Sequence, residues 1–247
     1  MEHESKTIWL IVPCYDEATR LPREEFRRFA AATPGVRFLF VDDGSTDGTA
    51  KVVTDLAEEL GGKALILPVN SGKAEAVRQG VLALRDEPDC ELVGYWDADL
   101  ATPLDEVPRL AEVLREHELS MVMGSRWMHL GENSIRRHWQ RHAMGRIFAF
   151  SVAQLLDSPV YDTQCGAKLF TSEIAAELFK KPFLTRWFFD VELLRRLQVL
   201  RHSRDLAAAV WEVPLRRWHD IEKSKVNLLR AFADFLTLIV KWRSISS

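Results

Sequence analysis

The chain has 247 residues, 47% hydrophobic and 28% charged, which excludes a disordered or fibrous chain and allows one large core or two modest lobes. A net charge of −3 hides opposed halves: residues 1–120 carry 13 Lys/Arg against 24 Asp/Glu, and residues 121–247 carry 20 against 12. The basic half suits an anion or an anionic surface, or simply complements the acidic half; nucleic acid is not an expected partner.

Cys14, Cys90 and Cys165 are far apart and form no C-x-x-C pair, which argues against a zinc site or disulfide framework and for a reducing compartment. Met1 to Lys6 is charged, and no uninterrupted apolar run reaches membrane-spanning length; a cytoplasmic location is expected.

Thr7 to Val12 is β-branched and apolar and predicts a buried strand ended by Pro13. Leu21 to Ala32 has helical spacing with Phe26 and Phe29 on one face. Val36 to Val41 predicts a second strand, followed by the turn Asp42-Asp43-Gly44-Ser45-Thr46-Asp47-Gly48-Thr49. Thr46 or Asp47 is the expected N-cap of a helix from Ala50 to Leu60, which Gly61-Gly62 closes. Ala64 to Val69 is expected as a third strand, Gly72 to Leu84 as a helix, and Glu91 to Trp96 as a fourth strand ending in Asp97-Ala98-Asp99. Pro103 fits the first turn of a helix reaching about His117, and Leu119 to Met123 predicts a fifth strand.

Alternating strands and helices predict an α/β fold, a mostly parallel sheet covered on both faces, whose ligands bind beyond the carboxyl ends of the strands. Tyr15-Asp16-Glu17, Asp42-Asp43, Asn70-Ser71 and Asp97/Asp99 all fall on that rim. The Asp97/Asp99 pair alone could be a capping turn or a divalent-cation site completed by phosphates; four loops on one rim favour the site. Tyr15 and Asp43 could hold a pyrimidine base by stacking and by accepting from its ring N–H. No Walker or Rossmann glycine pattern occupies these positions.

After Gly124, Ser134 to Leu156 is expected helical, basic at its start (Arg136, Arg137, Arg141, Arg146) and apolar at its end. Asp162 to Phe170 should be a loop entering a strand, Ser172 to Phe179 and Val191 to Leu200 helices, and Ala207 to Leu215 a strand. The last helix, Ser224 to Trp242, has a polar stripe of Asn227, Arg230, Asp234, Thr237 and Lys241 with apolar residues around the rest. It could pack on its own protein, on a second copy as a homodimer, or in the plane of a membrane. The best parse is one compact unit, 1–247, with halves 1–124 and 125–247.

Pro13-x-Tyr15-x-Glu17, Val41-Asp42-Asp43-Gly44-Ser45, Asn70-x-Gly72-Lys73 and Asp97-Ala98-Asp99, in this order at successive strand ends, resemble the family 2 inverting glycosyltransferases of GT-A fold. Tyr161 to Phe170 and Arg186-Trp187-Phe188-Phe189-Asp190-Val191-Glu192-Leu193-Leu194 look like the dolichyl-phosphate β-glucosyltransferase branch, and Gly124-Ser125-Arg126 and Ser224-Lys225 also fit the polyprenyl-phosphate mannosyltransferases. The resemblance implies a nucleotide-sugar donor, most simply UDP-glucose, bound by Pro13, Tyr15, Glu17, Val41, Asp43, Lys73, Asp97, Ala98 and Asp99. It implies Mg2+ or Mn2+ on Asp97 and Asp99, with His219 as a candidate further ligand or an exposed loop residue.

A polyprenyl-phosphate acceptor is implied, with Arg137, Arg141, Gln164 and Ser224 toward it, Arg126 and Lys225 on phosphate charge, and peripheral contact with the inner face of the membrane. If the acceptor is a saccharide hydroxyl instead, a base is required; Asp190 is the candidate, or else an N-cap. Asp162 could stabilise its loop. The chain departs from the pattern at Asp16, where asparagine is usual, at Ala101, where the mannosyltransferases have glutamine, at Lys223, where glycine is common, and in lacking a membrane-spanning N-terminal segment. A haloacid-dehalogenase-type phosphatase, a receiver-like domain and a non-catalytic nucleotide-sugar binder are the competing readings.

Overall fold

The computed structural model describes residues 6–126, 151–219 and 228–245. Arg137, Arg141, Ser224, Lys225 and most of the expected helix before Leu156 lie outside the described residues; 151–156 is helical.

The first half runs β1 (Thr7–Cys14), α1 (Arg23–Ala32), β2 (Val36–Asp42), α2 (Thr49–Glu59), β3 (Lys63–Ile66), α3 (Lys73–Ala83), β4 (Cys90–Trp96), α4 (Val107–Glu116) and β5 (Met121–Ser125). The second adds β6 (Ala167–Thr171), α5 (Ser172–Leu178), α6 (Phe189–Leu200), β7 (Val210–Pro214) and α7 (Leu228–Lys241). One seven-stranded sheet in the order β3-β2-β1-β4-β6-β5-β7 joins both halves. β6 runs antiparallel to β4 and β5, and the other pairings are parallel.

Successive strand residues point to opposite faces, so the apolar strands feed two cores. Trp9, Ile11, Val41, Val93, Tyr95 and Phe170 face one side, where Val77, Val81, Leu194 and Leu197 cover them. Leu10, Val12, Phe38, Phe40, Leu92 and Trp96 face the other, against Val53, Leu56, Leu110 and Leu114. Phe26 packs edge-on against Phe38 and Phe40, with centroids 5.2 Å from each, which is what buries the aromatic face of α1.

Several boundaries differ from expectation for local reasons: Pro13 does not end the first strand, because β1 stays paired with β2 through Pro13 and Cys14. The N-cap of α2 is Gly48, at φ +93°, while Asp47 accepts from the Thr49 amide one position further in, at 3.0 Å. Pro103 precedes a single 3-10 turn, Leu104–Glu106, and Pro108 occupies the first turn of α4. β3 ends at Ile66; the Leu67 amide still donates to Asp42 O at 2.9 Å, and Pro68, which has no N–H, cannot extend the ladder.

Candidate functional site

The loops at the carboxyl end of the sheet are strapped to each other. Asp16 has φ +49°, a left-handed conformation that Asn and Asp adopt more readily than other side-chain-bearing residues. Its carboxylate accepts from the Thr46 amide at 3.1 Å, and its own amide donates to Ser45 Oγ at 2.9 Å. That conformational tolerance explains why aspartate can stand where asparagine is usual. The Glu17 amide donates to Thr49 Oγ1 at 2.7 Å and that of Ala18 to Asp47 at 3.1 Å. Pro13 pairs in register with Val41, and Cys14 with Asp42, so the first two loops leave the sheet side by side.

Within that frame Tyr15 is 38% exposed, and Glu17 forms an ion pair with Arg20 at 2.5 Å. The Val41 side chain is buried in the core and Ala98 nearly so. Asp42 accepts from the Ser45 hydroxyl and amide. Asp43 is buried and accepts from the amides of Ser71 and Gly72, both at 2.8 Å. Burial raises its pKa, against the pull of those two amides and of the Arg186 guanidinium. Gly44 is needed here: at φ +66°, a Cβ would stand 2.5 Å from the Val69 carbonyl carbon.

Asp97 and Asp99 follow β4 on one turn, with the Leu100 amide donating to Asp97 O at 3.1 Å and the Ala101 amide to Asp99 Oδ1 at 3.0 Å. Burial, with Asp97 adding to it, raises the pKa of Asp99. Lys73, the first residue of α3, places Nζ 2.5 Å from Asp97 Oδ1. Burial lowers the pKa of that ammonium, but Asp97, Asp190 and Asp99 together raise it on balance. The Asp97 amide donates to Gly166 O at 3.0 Å, and a Cβ on Gly166 would lie 1.9 Å from Asp97 Oδ2. His219 is exposed, and its amide donates to Ala101 O at 2.9 Å, which puts it beside this turn.

Asp190 is not a helix cap. The N-cap of α6 is Phe188, and Asp190 sits inside the first turn, buried, accepting from the Tyr95 hydroxyl and paired with Lys168 Nζ at 2.7 Å. Lys168 is fully buried and also donates to Thr163 O at 2.9 Å and Cys165 O at 2.6 Å. Burial, then the Asp190 charge, holds the Tyr95 phenol well above its ordinary range.

Arg126, at the end of β5, forms a two-pronged pair with Asp162 (2.8 and 2.6 Å) and lies over Trp218. Burial raises the Asp162 pKa, but the guanidinium more than offsets it, leaving the carboxyl below its usual value. Asp162 thus does stabilise its loop, and Glu212 accepts from the amides of Tyr161 and Asp162 at 2.8 and 2.6 Å. Gln164 is half-buried in the same loop, between Thr163 and Gly166.

Three contributors had no role in the sequence reading. Lys168 could have been flagged as a lone lysine inside the apolar run Ala167–Thr171. Tyr95, in an apolar strand, gave no signal that its hydroxyl would meet Asp190. Arg186 donates to Asn70 O at 3.2 Å, and its amide donates to Asp234 of α7 at the same distance; nothing local links residues so far apart in sequence.

Among the described residues, no group of three or more His, Cys, Asp or Glu is arranged as a ready-made metal cage. Two adjacent carboxylates open to further oxygen ligands remain consistent with a hard divalent cation that shares its shell with phosphates.

The Glycosyl transferase family 2 profile matches residues 9–179. A dolichyl-phosphate beta-glucosyltransferase of Dictyostelium discoideum is 33% identical over 88% of this chain and 68% of its own, and that of Mus musculus 34% over 90% and 70%. Among solved structures, glucosyl-3-phosphoglycerate synthase from Mycobacterium tuberculosis, in complex with Mn2+, UDP and glucosyl-3-phosphoglycerate, superposes with a TM-score of 0.65 at 21% identity, covering 97% of this chain and 79% of that one. A mannosyltransferase from Pyrobaculum calidifontis in complex with GDP-Man and Mn2+ superposes at 0.54 and 19% identity, over 85% and 58%. These two likenesses concern the fold, and the expected GT-A arrangement is the observed one. With the profile spanning most of the sheet and two relatives aligned across nearly the whole chain, this protein belongs to glycosyl transferase family 2.

Proposed function

We propose that the protein transfers glucose from UDP-glucose, with inversion, to a polyprenyl or dolichyl phosphate, in a reaction that requires Mg2+ or Mn2+. The observation that carries this reading is the meeting of Asp97 and Asp99 with Lys73 and the Arg126–Asp162 pair at one end of the sheet. The acceptor class is supported by relatives named for dolichyl-phosphate glucosylation over about nine-tenths of this chain. The donor half is 1–124, with Pro13, Tyr15, Glu17, Val41, Asp43 and Ala98 around the nucleotide; the acceptor half is 125–247.

A divalent cation held by Asp97 and Asp99, with His219 as a further candidate ligand, would supply Lewis-acid neutralisation of the charge that builds on the leaving diphosphate. Lys73 adds a positive charge toward the same phosphates. Asp162 pre-orients Arg126, which with Lys225, Arg137 and Arg141 answers the acceptor phosphate; Gln164 and Ser224 position it. A phosphate acceptor is already an anion, so it needs placement rather than deprotonation. An Asp190 carboxylate held between Tyr95 and Lys168 suits that chemistry better than it suits a general base. The second reading, transfer to a saccharide hydroxyl, would make Asp190 that base.

No helix among the described residues is long and apolar enough to cross a membrane. Leu236, Ile239 and Val240 are exposed on α7, followed by Lys241 and Arg243, which suits peripheral contact with the cytoplasmic face of an anionic membrane; a second copy on that face is the alternative occupant. Radiolabelled UDP-glucose and GDP-mannose, each offered polyprenyl phosphate with and without EDTA, test the proposal. Expected is EDTA-sensitive transfer from UDP-glucose giving a β-linked lipid product. Transfer only to a soluble sugar would overturn the acceptor, and full metal-dependent activity in Asp97→Asn and Asp99→Asn would overturn the metal assignment.

A further inference from the structure

Two lysine ammonium groups lie over the Tyr95 ring, 5.5 and 5.2 Å from its centroid, each paired with one aspartate. They are held very differently. Lys168 is fully buried and donates to Asp190, Thr163 O and Cys165 O, so it cannot move without stranding a buried carboxylate and two carbonyls. Lys73 keeps 23% of its side chain exposed, and among the described residues the salt bridge found for its ammonium is to Asp97, itself 36% exposed. Its stem is the flexible four-carbon chain of lysine.

Asp97 therefore has two claimants. Ligand oxygens lie about 2.0–2.6 Å from a Mg2+-like or Ca2+-like ion, so a cation on Asp97 would arrive within a few ångströms of an ammonium already there. Two adjacent cations repel unless an anion lies between them. The donor diphosphate is such an anion.

We infer that Lys73 is a built-in counter-ion, occupying Asp97 while the donor site is empty and giving it up to the divalent cation only when a nucleoside diphosphate is present to receive the ammonium. This rests on the assignment of Asp97 and Asp99 to the cation. Its consequence is ordered loading: the cation alone binds weakly, and cation and diphosphate bind together. A purely structural lysine would, on removal, weaken binding of both ligands; a displaceable counter-ion gives effects of opposite sign.

The test is Mn2+ titration followed by the electron-spin signal of the free ion, without and with UDP, on the wild-type protein and on Lys73→Met, Lys73→Arg and Asp97→Asn. UDP should raise the Mn2+ affinity of the wild-type protein about tenfold. Lys73→Met should bind Mn2+ about five- to tenfold more tightly without nucleotide and lose most of the UDP enhancement, whereas Lys73→Arg, which keeps the charge, should stay near wild type. Unchanged or weaker Mn2+ binding by Lys73→Met, equal tightening by Lys73→Arg, or no UDP enhancement in the wild-type protein would each overturn the inference. The last holds even if Lys73→Met does not fold. Asp97→Asn should lose Mn2+ in both conditions; if it binds like wild type, the metal assignment itself falls, a result separable from those at Lys73.

Discussion

Lys168→Met tests the buried pair that holds Asp190, and Asp190→Asn separates the two readings of that carboxylate. The lysine has no exposed surface, and its removal leaves the Asp190 carboxylate, 4% exposed, facing Tyr95 and an apolar core. Losing one member of a buried pair costs about 3–5 kcal/mol, and the carbonyls of Thr163 and Cys165 lose donors worth about 1 kcal/mol each. Methionine refills most of the volume, so no cavity cost is added and the expected loss is about 5–7 kcal/mol, a large share of the ~5–15 kcal/mol that stabilises a typical domain. Asp190→Asn should cost less, about 2 kcal/mol, because the lysine keeps two backbone acceptors and the amide oxygen. The double variant should recover about 2 kcal/mol relative to the sum. Urea unfolding followed by tryptophan fluorescence, with an unchanged denaturant slope, measures all three. A Lys168→Met loss below ~1 kcal/mol, or strict additivity, would refute the buried-pair reasoning. The same Asp190→Asn protein tests chemistry: as an anchor it keeps the shape of its pH–rate profile. Loss of kcat by about 10²–10⁴ together with disappearance of one limb would assign it as the base instead.

Gly166→Ala should push the Asp97 carboxylate off its position, since a Cβ there would lie 1.9 Å from Oδ2; displacement of about 1 Å at such a site costs ~100-fold in rate, read as kcat at saturating metal with the far-UV spectrum unchanged. Asp162→Asn should destabilise the protein by ~3 kcal/mol at pH 7, because Arg126 loses a mostly buried partner. The sign of its pH dependence follows from a folded pKa below the ordinary 3.8: the pair's contribution is present above that value and lost as pH falls through the folded one. The gap between wild type and variant should therefore close below about pH 4, measured by urea unfolding at both ends. Val240→Asp on α7, where Val240 is 81% exposed, should leave the fold intact and forfeit about 1.5 kcal/mol of membrane transfer, roughly a tenfold weaker partition onto anionic vesicles.

Most of the sheet was legible because its strands are buried on both faces and read as apolar runs, and because helices such as α1 and α4 show one apolar stripe each. The rim motifs were legible for a related reason: a carboxylate or an amide-rich turn just beyond a buried strand has few other places to be. What sequence order could not convey was spatial order. Nothing in Ala167–Thr171 says that it runs antiparallel between β4 and β5, and so nothing says that Lys168 lies inside the protein. A charged residue in a strand is read by default as facing solvent; its partner Asp190 lies on α6, and helix periodicity marks faces without naming contacts across the core. The same holds for Arg186, whose link to Asn70 spans 116 residues.

The antiparallel strand has a functional consequence that follows from the register. Trp96, the last residue of β4, pairs with Ala167, the first of β6, and the pairing continues one step further as the Asp97 amide donates to Gly166 O. The residues just before Gly166 therefore lead directly into a backbone bond with the turn that carries Asp97 and Asp99. Those residues include Asp162, which orients Arg126, and Gln164. Through Lys168, the same loop is tied to Asp190 and α6. Two lobes joined only by a hinge would let these two loops move independently. Here one strand inserted between β4 and β5 makes the loop that carries Asp162 and Gln164 an extension of the turn that carries Asp97 and Asp99, so displacing either must disturb the other.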